Sequence, residues 1–126
     1  MPKCEVGDIL RIFNREVVPP HDKYSLCIRV KPNLFFLINS ENRKMYNCIP
    51  ISEKNYSFLK HDSHIACNRT FSYSLSDLKG SEIIGHLNIS DLRMLYEHLI
   101  KNVKTISPNE KTQILESLEN LLADYL

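Results

Sequence analysis

The sequence predicts a mainly β, α+β fold, in which a small, strongly bent β-barrel is followed by two C-terminal α-helices. Short apolar runs separated by polar turns fill residues 1–87, and glycines number only 3. Two longer segments with helical spacing follow at residues 90–104 and 108–125. A length of 126 residues suits one modest core, so we expect residues 1–126 to form a single domain.

Six stretches have the pattern of strands, and each is bounded by turn residues. The tight turn at Lys31 and Pro32 predicts a hairpin between the second and third stretches. Pro50 lacks a backbone donor and places its strand at a sheet edge. The six stretches are residues 6–13, 24–30, 33–39, 45–52, 63–73 and 82–87, with a polar turn region at 74–82.

Both C-terminal segments carry helix start signals. Ser90 is the predicted N-cap of the first. In the second, Ser107 is the predicted N-cap, Pro108 takes the first helical position and Glu110 closes a capping box. Each apolar stripe packs on the β core or offers a surface to a partner, and the terminal helix is the better candidate for a partner. The stripes are Leu92, Leu95, Tyr96, Leu99 and Val103, then Ile114, Leu115, Leu118, Leu121, Leu122 and Tyr125.

Charge and hydropathy exclude several classes of function. The net charge of +1 gives no global attraction to polyanions, so any nucleic-acid binding needs a local basic patch. No apolar run approaches a membrane span, and the N-terminus has no signal-like segment, which favours a cytoplasmic protein away from membranes. The cysteines form no CxxC pair and are expected to be reduced, with Cys27 and Cys67 packed as small hydrophobes.

Four landmarks in order resemble the PemK/MazF-like toxin family. They are "VGDILRIF" leading through a polar loop to "LCIRV", then "FFLINSE", then "LKHDSHIACNRTFSYSLSDL", and finally "EIIGHLNISDLRMLYEHLIKNV". Their order and spacing across residues 6–104 carry the resemblance, since each short motif alone recurs by chance. The resemblance implies an SH3-like barrel, a homodimer and a metal-independent endoribonuclease that needs no cofactor and is neutralised by an antitoxin protein.

The resemblance also places catalytic residues. Lys23 falls at the family's phosphate-stabilising arginine, with Tyr24 in place of the following proline, and Asn39 and Ser40 fall at its Thr-Ser pair. Lysine lacks the guanidinium fork that grips phosphate at two points. His21 has a side chain suited to acid–base work near neutrality and is the expected aid to Lys23 in proton transfer.

From the residues alone, "HDK" is equally well interpreted as a solvated polar loop stiffened by prolines or as part of a site, and the resemblance favours the site. The residues expected to contact RNA are Asp22, Tyr24, Asn68 and Arg69. For Asn68 and Arg69, an exposed strand end is an equally plain interpretation.

The cluster "HDSHIACNR" raises the question of a metal site. His61, His64 and Cys67 offer ligand types, but alternation along a strand turns His61 and His64 to opposite faces and disfavours a shared ion. We therefore expect no metal here. Asp62 and Ser63 instead have the pattern of a turn in which the aspartate accepts backbone N–H groups.

Three hypotheses follow from the sequence. The first is a toxin-like ribonuclease for single-stranded RNA that belongs to a toxin–antitoxin system. The second is an inactive barrel that binds protein or nucleic acid, since lysine stands where the family has arginine. The third is a regulatory subunit that assembles through its terminal helix pair.

Overall fold

The computed structural model describes residues 4–102 and 104–125. Val103, which the sequence assigns to the first helical stripe, lies outside them. The described chain is mixed α+β, with a curled antiparallel half-barrel sheet of six strands and helices at the C-terminal end. The elements are β1 Asp8–Asn14, β2 His21–Arg29, β3 Leu34–Asn39, β4 Ile49–Ile51, β5 Ser63–Phe71, α1 Leu75–Lys79, β6 Glu82–His86, α2 Ile89–Asn102 and α3 Pro108–Ala123.

The strands lie in the order β4-β5-β3-β2-β1-β6. The predicted hairpin is confirmed, because β2 and β3 pair antiparallel across the turn that holds Lys31 and Pro32. The position of Pro50 is confirmed too, since the three-residue strand β4 lies at one edge of the sheet. The turn region 74–82 contains the short helix α1, which the sequence pattern did not predict.

"HDK" belongs to a strand, and its interpretation as a polar loop is wrong. Strand β2 begins at His21, and Asn14, Phe13 and Ile12 of β1 pair with His21, Asp22 and Lys23. The pairing of β1 with β2 continues beyond the alternating apolar residues of β2, because backbone hydrogen bonds do not depend on side-chain polarity. The loop is thus only the segment 15–20, and the ionisable side chains are held on a sheet.

Two apolar clusters cover the two faces of the sheet. Alternate residues on a strand face opposite sides, so Leu26 and Phe36 pack toward α2 and α3, while Cys27 and Phe35 pack toward the other face. Cys27 and Cys67 are both buried in apolar clusters, as predicted. The second cluster is smaller and leaves room for an open groove at one end.

Helix α3 begins at Pro108 with Ser107 as its N-cap, as the sequence predicts, because the Ser107 hydroxyl accepts from the N–H of Glu110. The Glu110 carboxylate accepts from the Thr70 hydroxyl at 2.7 Å, and its predicted closing of a capping box stays a prediction. Helix α2 begins one residue before Ser90, and the predicted cap is wrong. The Asn88 side chain accepts from the N–H of Asp91 at 2.8 Å, and the Asn88 carbonyl accepts the first helical bond. Asparagine is as good a cap as serine, and Asn88 is separated from the end of β6 only by Leu87.

The apolar stripes of α2 and α3 pack on the β core. Leu92, Leu95 and Leu99 of α2 are buried, and so are Ile114 and Leu118 of α3. Arg29 of β2 fixes α3 further, because its guanidinium donates to the Gln113 carbonyl and the Ser117 hydroxyl at 3.2 Å each. Tyr125 is the exposed end of the second stripe. The buried positions of both stripes therefore pack on the β core and do not form a partner surface.

Candidate functional site

An open groove of about 550 Å³ lies where β2 begins and β3 ends. The loop 15–20, the segment after β3 and strand β5 form its walls. Six of the eight predicted site residues line it, although they come from three separate strands or their ends: His21, Lys23, Asn39, Ser40, Asn68 and Arg69. The remaining two, Asp22 and Tyr24, line a neighbouring cavity.

Sheet register brings Lys23 and Asn39 together. Because Tyr24 pairs with Ile38, the residues one step further along the antiparallel ladder, Lys23 and Asn39, are cross-strand neighbours. Lys23 Nζ donates a hydrogen bond of 2.5 Å to Asn39 Oδ1. The amide therefore holds the ammonium group at the groove wall.

Burial lowers the pKa of the Lys23 ammonium from its ordinary value, and the negative charge of Glu41 offsets part of that effect. Desolvation disfavours the charged form because less water solvates it. A lysine with a lowered pKa releases a proton more readily than an exposed one. Lys23 thus combines a positive charge with some capacity for proton transfer.

His21 is exposed at the mouth of the groove, and its Nδ1 lies 2.6 Å from the Pro19 carbonyl oxygen. A carbonyl oxygen only accepts, so Nδ1 carries the proton in this contact. In the neutral ring, Nε2 is then the unprotonated nitrogen that can accept a proton. The carbonyl group of Pro19, just before β2, thereby selects the tautomer of His21.

Arg69 supplies a guanidinium group to the groove. Its charge lies 4.1 Å from the centroid of the Phe71 ring, and it forms an ion pair of 3.1 Å with Glu16 of the loop 15–20. The aromatic ring and the carboxylate hold the planar fork in place. Asn68 is tied at its backbone, where its carbonyl accepts from the Thr105 hydroxyl at 2.6 Å.

Sequence reasoning missed a second guanidinium group. Arg43 lines the same groove from the segment after β3, where it bonds Glu41 at 2.7 Å and lies 5.8 Å from the centroid of the Tyr46 ring. Arg43 belongs to none of the motifs that the sequence analysis singled out. Only the path of the segment that leads into the 3-10 turn Lys44–Tyr46 brings it to the groove that Lys23 also lines, and no local motif signals that path.

A buried polar network supports the loop wall of the groove. Asn14 and Ser25 are both buried, and the Tyr73 hydroxyl bonds Ser25 Oγ at 2.8 Å and Asn14 Nδ2 at 3.1 Å. The Asn14 side-chain oxygen accepts from the N–H groups of Glu16 and Val17. The network thus links β1, β2 and the segment after β5 to the loop that carries Glu16.

The smaller cavity, of about 290 Å³, lies on the other face of the sheet. Tyr24 lines it and packs edge-on against Phe58, with ring centroids 5.4 Å apart and an interplanar angle of 89°. Exposed charged or ionisable groups surround this aromatic pair: Asp22, Lys60 and His61. His21, Lys23 and Ser40 line this cavity as well as the groove.

Within residues 4–102 and 104–125, no group of three His, Cys, Asp or Glu side chains is arranged to hold a metal ion. His61 precedes β5 while His64 and Cys67 lie within it, and Cys67 is buried in the helix-side core. Asp62 accepts a backbone N–H as predicted, but from Glu53 at 3.0 Å rather than from its own turn.

No protein-family model and no curated protein matches this chain. In the part of the chain that the structure describes, no helix has the length and apolar character that crossing a membrane requires.

Proposed function

We propose that the protein is a toxin-like, metal-independent endoribonuclease that cleaves single-stranded RNA in the groove beside Lys23. The observation that supports this most is the convergence of Lys23, Arg43 and Arg69 with His21 on one open cavity. Three cations around a histidine match what phosphodiester cleavage needs. The curled sheet is compatible with the SH3-like barrel that the resemblance to the PemK/MazF-like family implies.

The reaction without a metal has three requirements. The 2′-hydroxyl must lose a proton as it attacks the adjacent phosphorus, the leaving 5′-oxygen must gain one, and the charge on the phosphoryl oxygens must be stabilised. Nε2 of His21 is the base for the first step. Lys23 stabilises the phosphoryl charge and can supply the proton in the last step, and its lowered pKa favours that release.

Asn39 and Ser40 orient the substrate. The Asn39 side chain positions Lys23 through its oxygen, which leaves its amide N–H groups as donors to the strand of RNA. The Ser40 hydroxyl is exposed at the end of β3 and adds a further donor to the phosphate. The cleavage products are a 2′,3′-cyclic phosphate and a 5′-hydroxyl.

The absence of arginine at position 23 is compensated from elsewhere in the groove. Arg43 and Arg69 provide planar forks that bind phosphate oxygens at two points, which lysine does not. Asn68, Asp22 and Tyr24 contact the flanking nucleotides. The weak global charge therefore does not oppose RNA binding, because the basic groups are concentrated locally.

The biological setting in this proposal is that of a cytoplasmic toxin–antitoxin system. The toxin acts as a homodimer, and an antitoxin protein neutralises it by covering the groove. An acidic antitoxin segment suits this role, since Lys23, Arg43 and Arg69 would pair with its carboxylates.

Inducible expression in bacteria tests the proposal. Wild-type protein is expected to arrest growth, whereas Lys23→Ala restores it at equal protein levels. Lys54→Ala is the matched control, because Lys54 is an exposed lysine in the 3-10 turn Glu53–Asn55, and it is expected to remain toxic. Growth that is normal with wild-type protein would instead favour an inactive barrel that only binds nucleic acid or protein.

A further inference from the structure

The groove and the smaller cavity lie back to back across the end of the sheet. Leu37 lines the groove and Ile38 lines the smaller cavity, and consecutive residues of one strand face opposite sides. His21, Lys23 and Ser40 line both cavities. These three residues therefore form a ridge between the groove on one face of the sheet and the smaller cavity on the other face.

The smaller cavity has the chemistry of a nucleobase site. Tyr24 is half-buried and offers ring surface, and its edge-on contact with Phe58 holds the ring in place. Asp22 is an acceptor and Lys60 a donor at the rim, and both are exposed. Aromatic surface with polar groups at the edge is the usual way in which proteins hold an unstacked base.

We propose that a single RNA strand bends over this ridge, with one nucleotide in each cavity and the phosphate that joins them at Lys23. The choice of RNA rests on the proposed function, whereas the bent path rests on the shared ridge. Two bases on opposite faces of a sheet cannot stack on each other. The ridge thus forces apart the two nucleotides that flank the scissile phosphate.

Separating the two nucleotides has a chemical consequence. In a stacked strand the 2′-oxygen is not aligned with the bond to the leaving 5′-oxygen, and unstacking allows an in-line approach. The smaller cavity then determines which base is accepted on its side of the cut, through Asp22 and Lys60. The groove determines the other base, with the half-buried Tyr46 as its aromatic surface.

A 2′-O-methyl RNA strand with one 2-aminopurine at the nucleotide on the groove side of the joining phosphate tests this path, because methylation blocks cleavage and stacking on the neighbouring base quenches 2-aminopurine fluorescence. We expect binding to wild-type protein to raise the fluorescence. Tyr24→Leu and Lys60→Ala, both in the smaller cavity, should each weaken binding, with Tyr24→Leu weakening it about tenfold. Both should reduce the fluorescence rise. Lys54→Ala, an exposed lysine outside both cavities, should behave as wild type.

The outcomes separate this inference from the ribonuclease itself. Binding without a fluorescence rise overturns the bent path, even if the protein cleaves RNA. The bent path is equally overturned if Lys60→Ala and a correctly folded Tyr24→Leu both bind RNA with wild-type affinity. A fluorescence rise that depends on Tyr24 and Lys60 supports the bent path even if no RNA is cut. Failure to bind any strand overturns both.

Discussion

Lys23 Nζ and Asn39 Oδ1 lie 2.5 Å apart across the β2–β3 pair, at the wall of the groove. The two residues are 16 positions apart in the chain, and only the antiparallel register makes them neighbours. The contact fixes the ammonium group of a flexible side chain at one place. In our account, that fixed charge is what the phosphate meets first.

Removing the amide should therefore lower activity without removing the charge. Asn39→Leu keeps a side chain of similar size but leaves Lys23 without this acceptor, and we expect RNA cleavage to fall about tenfold or more. Asn39→Gln moves the acceptor by one methylene, and its cleavage rate should lie between those of wild type and Asn39→Leu. Cleavage rates at saturating RNA measure the effect. Equal rates for Asn39→Leu and wild type would show that the amide does not position Lys23.

The lowered pKa of Lys23 predicts a pH dependence of stability. Between the folded pKa and the ordinary value of 10.5, the unfolded chain binds more protons than the folded one, so stability increases with pH through that window. Lys23→Met removes this dependence. The free energy of unfolding of Lys23→Met minus that of wild type should thus be larger at pH 7 than at pH 10.5, as urea titrations can measure. A constant difference would contradict the partial burial of the ammonium group.

Arg69 should bind phosphate through its fork rather than through its charge alone. Arg69→Lys keeps the charge and loses one bidentate contact, so we expect affinity for single-stranded RNA to fall about tenfold, corresponding to about 1.4 kcal/mol. Fluorescence anisotropy measures it. Arg93→Lys on α2 is the matched control, since Arg93 is exposed and lines neither cavity. Equal losses for both variants would mean that only net charge matters.

The buried network around Tyr73 should contribute to stability. Tyr73→Phe removes the hydroxyl that bonds Asn14 and Ser25, leaving two buried polar groups short of a partner. We expect a loss of about 1–3 kcal/mol in the free energy of unfolding. Tyr125→Phe, at an exposed tyrosine, should change stability little. If Tyr73→Phe and Tyr125→Phe lower the free energy of unfolding by the same amount, the buried network is not the cause of the loss.

Gly7 is a position where only glycine fits. Its φ is +95°, and an added Cβ would lie 2.7 Å from His86 Cε1. Gly7→Ala should destabilise the protein by about 1–2 kcal/mol from backbone strain alone, whereas Gly80→Ala, where a Cβ has ordinary contacts, should not. Thermal unfolding compares them. Equal melting temperatures for the two variants would contradict the strain at Gly7.

The sequence was sufficient to locate the six strands and the two C-terminal helices, because each depends on local periodicity and capping, but it did not predict the short helix α1. The hairpin at Lys31–Pro32, the edge position of Pro50 and the cap at Ser107 are all local patterns. Errors arose where tertiary pairing decided the outcome. Strand β2 starts at His21 because β1 continues opposite it, and Asn88 caps α2 because β6 ends just before it.

The candidate site divides in the same way. Lys23, Asn39 and Ser40 were predicted from their places in ordered motifs, and the structure gathers them on one groove. Arg43 was not predicted, because its position depends on how the segment after β3 folds back toward β5. The division of the site into two cavities was not predicted either, since it depends on which face of the sheet each strand residue occupies.

Purified protein incubated with single-stranded RNA in the presence of a chelator, with the products analysed by mass spectrometry, tests whether this protein is a metal-independent ribonuclease. We expect fragments ending in 2′,3′-cyclic phosphate from wild-type protein and from Lys54→Ala. Lys23→Ala should cleave about 100-fold more slowly, or more slowly still. RNA that stays intact with wild-type protein, or cleavage by Lys23→Ala at the wild-type rate, would show that the groove is not a ribonuclease site built on Lys23.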